Sequence, residues 1–368
     1  MGNIIDYIKW RGDLTFGQSR FNEVDNLILA CLSYVNLDEI DRILPGKRAS
    51  LQEVSELFFS MHTESELKKD KSFPHLMPDM MREMAKSARF QNAEIGNYVN
   101  EIVTEKEQQF SALEIRLDDG TTYISYRGTD GTIIGWKEDF NLSNGIVPAQ
   151  MRAAEYLDEC AGGSERALRI GGHSKGGNLA VYAASKCRTE IKENIIAVYD
   201  NDGPGFTREL TADQGFQKMK SRVCRIIPEC SIIGMLLCQE KEPVIVNSSQ
   251  RGILQHDGLS WEVMGPSFVR CAALNKRAVI FNDTLQKWIE NMDTKQRDKF
   301  IDDLFSVFEI TGAQTFSQLQ NGGIKNVKAM LRRIDELEPN SKKIVQELIY
   351  QLFSHWSEFI FVKEGEGR

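Results

Sequence analysis

The stretch Gly171-Gly172-His173-Ser174-Lys175-Gly176-Gly177-Asn178 constrains this chain more than any other. Gly172 and Gly176 stand two residues to either side of Ser174, a Gly-x-Ser-x-Gly pattern. Before it, Arg166-Ala167-Leu168-Arg169-Ile170-Gly171 reads as a short strand ending on glycine. After it, Asn178-Leu179-Ala180-Val181-Tyr182-Ala183-Ala184 reads as a helix. A strand, a sharp turn and a helix are the context in which this pattern means a nucleophile elbow. The serine of an elbow sits on a strained turn, so its neighbours carry no side chain where strand and helix crowd together. Ala180, Ala183 and Ala184 suit a helix packed close to a sheet. An ordinary strand-to-helix turn with a serine N-cap would use similar residues. The flanking strand and helix favour the elbow, which then needs a base, an acid and an oxyanion hole from elsewhere.

The segments around it supply a frame. Residues 1–96 read mainly as helices. Asn22 to Leu32 opens on a cap and acids and then runs apolar, Ser50 with Glu53 forms a capping box ahead of Val54, Leu57 and Phe58, and Met80, Met81, Met84 and Ala85 make a core stripe. Beyond Asn97, Tyr98–Glu105 and Gln109–Leu117 alternate as strands, Asp118-Asp119-Gly120 is a hairpin turn, and Thr121–Tyr126 is a third strand. A helix over Gln150–Cys160 precedes the elbow. Strands over Asn194–Tyr199, Ser221–Ile227 and Val244–Ser248 follow it. Strands alternating with helices predict an α/β fold, a mostly parallel sheet flanked by helices. From about Val279 the pattern is helical, with Phe300, Leu304, Val307 and Phe308 on one face and Ile344, Leu348, Leu352 and Trp356 on another. Residues 1–290 thus read as one α/β unit with a helical N-terminal part. Residues 291–368 read as a helical extension packed on it, ending in a disordered tail at Glu364–Arg368.

A serine hydroxyl needs a base to become a nucleophile, and histidine suits neutral pH. The chain has five histidines. His173 adjoins the serine and on an elbow points away from the reacting side. His62 and His75 precede the sheet as surface or loop residues, and His355 lies in the terminal helices. His256, shortly after the Val244 strand, remains. Serine first, then an acid, then histidine is the chain order of α/β-hydrolases. For the acid, Asp202 follows the Tyr199 strand, at the end where such sites are built. Asp200 would face the same side if that strand continued, Glu229 is the alternative after the Ile227 strand, and Asp257 adjoins the base too closely. A plain turn would also use Asp202-Gly203-Pro204-Gly205. The oxyanion hole would take the N–H of Lys175, the residue after the nucleophile, and that of Thr129, in the loop after an early strand.

Tyr126-Arg127-Gly128-Thr129, Trp136 with Asp139, Gly172-His173-Ser174-Lys175-Gly176-Gly177, and His256 before Trp261 together resemble class 3 lipases. More closely, the chain resembles their bacterial Mbeg-like branch, which shares segments similar to Asp25–Ala30 and Asp202-Gly203-Pro204-Gly205-Phe206. The resemblance covers roughly residues 10–270. It implies an α/β-hydrolase fold, Ser174 as nucleophile, His256 as base, Thr129 in the oxyanion hole and a carboxylic-ester substrate. Two departures stand out. Ser231 occupies the place of the lipase acid, so either the acid has moved to Asp202 or Glu229, or activity is weak or absent. Lys175 replaces an apolar residue, which points to an anionic substrate group or to a solvated side chain.

Composition closes off other classes. A net charge of −8 argues against a nucleic-acid binder, and short basic pairs such as Lys68-Lys69 and Arg332-Arg333 are solvated faces. The seven cysteines are scattered without a C-x-x-C pair, which gives neither a disulfide framework nor a zinc site and suits a reducing compartment. The N-terminus shows no signal-peptide or myristoylation pattern, and the Cys224–Cys238 run is interrupted by Arg225, Pro228 and Glu229. The expectation is a cytoplasmic serine hydrolase of a small-molecule or lipid ester, with no cofactor, no metal and no stable membrane insertion. The rival is a hydrolase-like binding or scaffold protein that has lost catalysis. A membrane-surface lipase would use Gly131-Thr132-Ile133-Ile134-Gly135-Trp136 as an exposed lid, although an ordinary apolar loop reads the same way.

Overall fold

The computed structural model describes residues 2–67, 76–103, 108–129, 145–290, 292–313 and 322–339, with isolated positions at 133, 137, 142, 318–319, 341–343, 345–346 and 349. The expectations for Lys68, Lys69, His75, Ile134, Trp136, Asp139, Ile344, Leu348, Leu352, His355, Trp356 and the Glu364–Arg368 end fall outside the described residues. Among the described residues eight strands form one sheet in chain order: β1 (Ala49–Ser50), β2 (Glu94–Val103), β3 (Gln108–Arg116), β4 (Thr122–Tyr126), β5 (Leu168–His173), β6 (Ile195–Asn201), β7 (Val223–Pro228) and β8 (Val244–Val246). β1 to β4 pair antiparallel, and β4 to β8 run parallel. This is the helix-flanked, mostly parallel sheet expected, an α/β-hydrolase type of fold. The Asp118-Asp119-Gly120 turn joins β3 to β4, with Gly120 at φ 82° and Asp119 accepting the Thr121 N–H at 2.9 Å. β2 starts three residues before the expected change at Asn97, because Asn97 itself sits in a register shift within the strand, at φ 50°.

The helices divide between the two faces. On one lie α1 (Ile4–Arg11), α2 (Glu23–Leu32), α3 (Leu51–Met61) and α4 (Met77–Lys86), which cover Leu113, Ile115, Tyr123, Ile226 and Val246. On the other lie α5 (Pro148–Ala161), α6 (Lys175–Lys186) and α7 (Gln214–Met219), whose Ala153, Tyr156, Leu179, Ala183 and Phe216 pack on Ala112, Ile124, Ile170 and Val198. Connection rules dictate this division. Parallel strands laid down in chain order are joined by right-handed crossovers, and successive crossovers in one direction put every connecting helix on the same face. The opposite face must then be covered from outside the crossovers, and the N-terminal helices do so. α2 is buried along its length from Val24 to Leu32, as its apolar run predicts. Its capping box is Asn22 with Asp25, and that of α3 is Ser50 with Glu53. Met80, Met81 and Met84 are fully buried core.

An ion pair that the sequence does not advertise locks this layer. Arg89, just past α4, is bidentate on Asp25 of α2, with Nε at 2.7 Å and Nη2 at 2.5 Å, and both side chains are fully buried. Its Nη1 also donates to the carbonyls of Leu14 and Ser19, and the guanidinium stacks over Phe16. Removing one member of such a pair leaves the other charge buried alone. Arg89→Met is therefore expected to destabilise the fold by about 3–5 kcal/mol. The check is a urea unfolding curve, and an unchanged midpoint would refute it.

Of the C-terminal helices α8 (Lys276–Glu290), α9 (Thr294–Glu309) and α10 (Gly323–Asp335), the last two gather Phe300, Leu304, Phe305, Phe308, Met330 and Ile334 into a third cluster. Ile232, Ile233 and Leu236, which follow β7, and Ile133 pack in the same cluster. Ile133, a member of the postulated lid, is thus buried and not exposed. Among the described residues no helix is long and apolar enough to cross a membrane.

Candidate active site

Among the described residues the five parallel strands end at the same edge of the sheet, and the candidates other than Asp200, which lies within β6, follow those ends. β4 runs into Arg127-Gly128-Thr129, β5 into Ser174, β6 into Asp202 and β7 into Glu229 and Ser231, while His256 lies in the loop beyond β8. His173 pairs with Asn201 in the β5–β6 register, so Ser174 and Asp202 are the next residues on adjacent strands. Main-chain hydrogen bonds carry the pairing one step further. Ser174 N–H donates to the Asn201 carbonyl at 2.9 Å, and Asp202 N–H to that of Ile226 at 2.8 Å.

Ser174 has φ 59° and ψ −134°, outside the ordinary regions for a residue with a side chain. Such a conformation costs on the order of 1–3 kcal/mol and persists only where the surroundings impose it. Here they do. A Cβ on Gly172 would lie 2.3 Å from the backbone of Gly176, and a Cβ on Gly176 would lie 2.1 Å from the Tyr126 carbonyl oxygen. Ser174 stands at the N-cap position of α6, yet its side chain caps no helix N–H. The alternative of a plain serine cap is therefore corrected: the hydroxyl, almost buried, is free of the capping role.

Asp202 and His256 are brought together. Their Oδ2 and Nδ1 atoms are 2.6 Å apart, with the carboxylate fully buried. Asp202 takes φ 55°, a left-handed turn that aspartate tolerates better than most residues. Its other oxygen, Oδ1, accepts the Ser231 hydroxyl at 2.5 Å. The loop after β7 thus supplies a hydroxyl where the lipase resemblance places a carboxylate, and the carboxylate reaches the same spot from β6. β6 does continue through Asp200, but that side chain has other partners: Gly203 N–H at 2.8 Å and Arg225 at 3.5 Å. Burial pushes the Asp200 carboxyl up to about 7 against the pull of Arg225. Glu229 stays at the end of β7, where its carbonyl accepts the Asn275 N–H. Asp202 occupies the Nδ1 side of His256.

Gly128 and Thr129 lie against the elbow. A Cβ on Gly128 would come within 2.3 Å of the His173 carbonyl oxygen and 3.0 Å of Ser174 Cβ, so this loop approaches the serine as closely as a backbone can. Thr129 is buried beside it. Lys175 is only 3% exposed, which removes the solvated reading, and its Nζ donates to the Gln109 carbonyl at 3.4 Å. A cavity of about 710 Å³ is bordered by Phe206, Leu210, Leu237 and Gln286, and its lining includes none of Ser174, Asp202 or His256. Among the described residues no group of His, Cys, Asp or Glu could hold a metal ion.

Sequence reasoning missed what supports these groups. The His173 ring is fully buried and lies 4.7 Å, centre to centre, from the His256 ring. Burial, then the charge of His256, pushes the His173 imidazole down to about 3. An unfolded imidazole titrates near 6.5, so stability from burying it neutral is complete above that pH and drains away as pH falls toward 3. Tyr34, just past α2, bonds to His173, and Trp261 Nε1 donates to the Gln255 carbonyl at 2.8 Å. No spacing links residues 34, 173 and 261; His173 and Trp261 had a signal through the resemblance, and Tyr34 had none.

Comparison with known proteins bears on the whole arrangement. The model of the Mbeg1-like family matches residues 84–306. None of the curated proteins matches. Among solved structures the M37 lipase is similar, with 17% identity and a TM-score of 0.36 over 57% of this chain and 67% of that one. The family match spans more than half of the chain and includes Ser174, Asp202 and His256, so the chain belongs to the Mbeg1-like family.

Proposed function

We propose that the protein is a serine-dependent hydrolase that cleaves a carboxylic ester through an acyl-enzyme on Ser174. The observation that carries this reading is the 2.6 Å Asp202–His256 contact at the sheet edge where the strained Ser174 elbow also ends. Asp202 on Nδ1 keeps the proton there and leaves Nε2 as the base. His256 Nε2 takes the Ser174 hydroxyl proton while Oγ bonds to the ester carbon, and the carbonyl π pair moves onto oxygen. The N–H groups of Lys175 and Thr129 stabilise that oxyanion. Collapse breaks the bond to the alcohol, which leaves with the proton from His256. Water repeats the sequence, releasing the acid and free Ser174. Small-molecule and lipid esters both fit this chemistry, as does acyl transfer to another acceptor.

The rival scaffold reading drew on Ser231 standing in the place of the lipase acid. Its hydroxyl bonds to Asp202 and so supports an intact acid instead. Activated serines react with fluorophosphonates, which displaces fluoride and forms a Ser Oγ–phosphorus bond. Intact mass is expected to show one adduct on the wild type and none on Ser174→Ala or His256→Ala. A folded wild-type protein that stays unlabelled would count for the scaffold.

A further inference from the structure

His173 carries an imidazole that the ester mechanism does not use, yet it is built into the site. It is the last residue of β5, next to the nucleophile in the chain. Its Nε2 lies 2.7 Å from the carbonyl oxygen of His256. A carbonyl only accepts, so Nε2 carries the proton and Nδ1 is left as an acceptor. The Tyr34 hydroxyl, 3.2 Å from Nδ1, donates to it, and also lies 3.3 Å from the His173 carbonyl. One tautomer satisfies both ring nitrogens.

The geometry gives this bond a purpose. Asp202 fixes how the His256 ring turns, but a side-chain contact does not fix where its backbone stands. The loop is pinned at two successive carbonyls. Trp261, from the same loop, holds that of Gln255, and Gln255 in turn accepts the Cys230 N–H through Oε1. His173 holds that of His256, and it comes from the strand that carries Ser174. Base and nucleophile are thereby referenced to one another across a single hydrogen bond. Neutrality matters as well. His256 becomes cationic during acylation, and a second cation with its ring centre 4.7 Å away would oppose that step. Burial and the Tyr34 hydroxyl both favour the uncharged ring.

We propose that His173 is a positioning residue, a neutral imidazole oriented by Tyr34 that holds the backbone of His256 in register with Ser174. The proposal rests on the hydrolase reading above. It also draws the N-terminal helices into the site, since Tyr34 lies before the residues that the family model matches.

The test compares His173→Phe, His173→Gln and Tyr34→Phe with the wild type in fluorophosphonate labelling rate and in steady-state turnover of an aryl ester. Near-UV circular dichroism reports packing alongside. A misplaced base costs about 100-fold in rate, so His173→Phe is expected to lose that factor in kcat and in labelling, with KM little changed. His173→Gln keeps an N–H donor for the carbonyl and is expected to recover most of the loss. Tyr34→Phe removes one hydroxyl, and about tenfold in kcat is the expected loss, the worth of one hydrogen bond; it decides the matter if His173→Phe does not fold. A wild-type labelling rate in folded His173→Phe, equal losses in the Phe and Gln variants, or an unchanged kcat in Tyr34→Phe would each overturn the positioning role. A wild type that does not label at all would overturn the hydrolase reading itself, so the two failures are distinguishable.

Discussion

Turnover of an activated ester is expected to fall roughly a millionfold when Ser174 is replaced by alanine, the scale seen when a triad serine is lost. The same substitution is expected to leave stability almost untouched, and that contrast gives the test its force. An N-cap serine replaced by alanine costs about 1 kcal/mol, but the Ser174 side chain caps nothing. The positive φ is paid for by the glycine-lined surroundings and is no worse for alanine than for serine. Triad members act as a unit, so adding His256→Ala to Ser174→Ala should remove little more. Steady-state kinetics with the thermal midpoint measured alongside would check this. Residual kcat above about a hundredth of wild type, with the fold intact, would exclude Ser174 as the nucleophile.

The elbow was legible in the sequence because part of its requirement is local. Gly172 meets Gly176 across the turn itself, a contact within one strand–turn–helix, whereas the closest neighbours of Gly176 are Tyr126 and Arg127 at the end of β4, which only the sheet brings there. Local contacts also set the Asn22 and Ser50 caps and the Asp118-Asp119-Gly120 hairpin, each through residues within three or four positions. The sheet order was not legible. Alternating strands and helices say that a parallel sheet forms, but not which face the crossovers leave bare, and therefore not why residues 1–96 are helical. Arg89 and Asp25 show the limit in one pair. They are 64 positions apart, and neither stands out as charged core in a chain with 27% charged residues.

Within the site, the proposed base stands out once the other histidines are eliminated, whereas the proposed acid does not. Asp200, Asp202 and Glu229 all stand at or beside strand ends. What separates them is tertiary: Arg225 beside Asp200 in the β6–β7 register, and the contacts of the Asp202 carboxylate with His256 and Ser231 from a left-handed turn. Lys175 shows the same limit, since one buried contact with Gln109 on β3 decides between a solvated and an enclosed ammonium.

That separation makes the acid the second decisive substitution. Asp202→Asn is expected to lower kcat by about 10⁴-fold, the loss measured when the acid of a serine protease triad becomes an amide. The reason is tautomeric. An amide can donate to Nδ1, which moves the imidazole proton to Nε2 and leaves no lone pair facing Ser174. Structure should survive, because asparagine tolerates the left-handed conformation at position 202 at least as well as aspartate, and its carbonyl can still accept from Ser231. Asp202→Ala should be comparably inactive but less stable, since it strands the Ser231 hydroxyl in a buried pocket at a cost of about 1–3 kcal/mol. Glu229→Gln serves as the contrast and is expected to stay within twofold of wild type, far inside the effect of losing a triad member. Were Glu229→Gln the inactive variant and Asp202→Asn the active one, the acid would belong to β7, where the lipase resemblance first put it. The 2.6 Å contact with His256 argues for the opposite result, and for an acid that has moved by one strand while its target histidine has stayed in place.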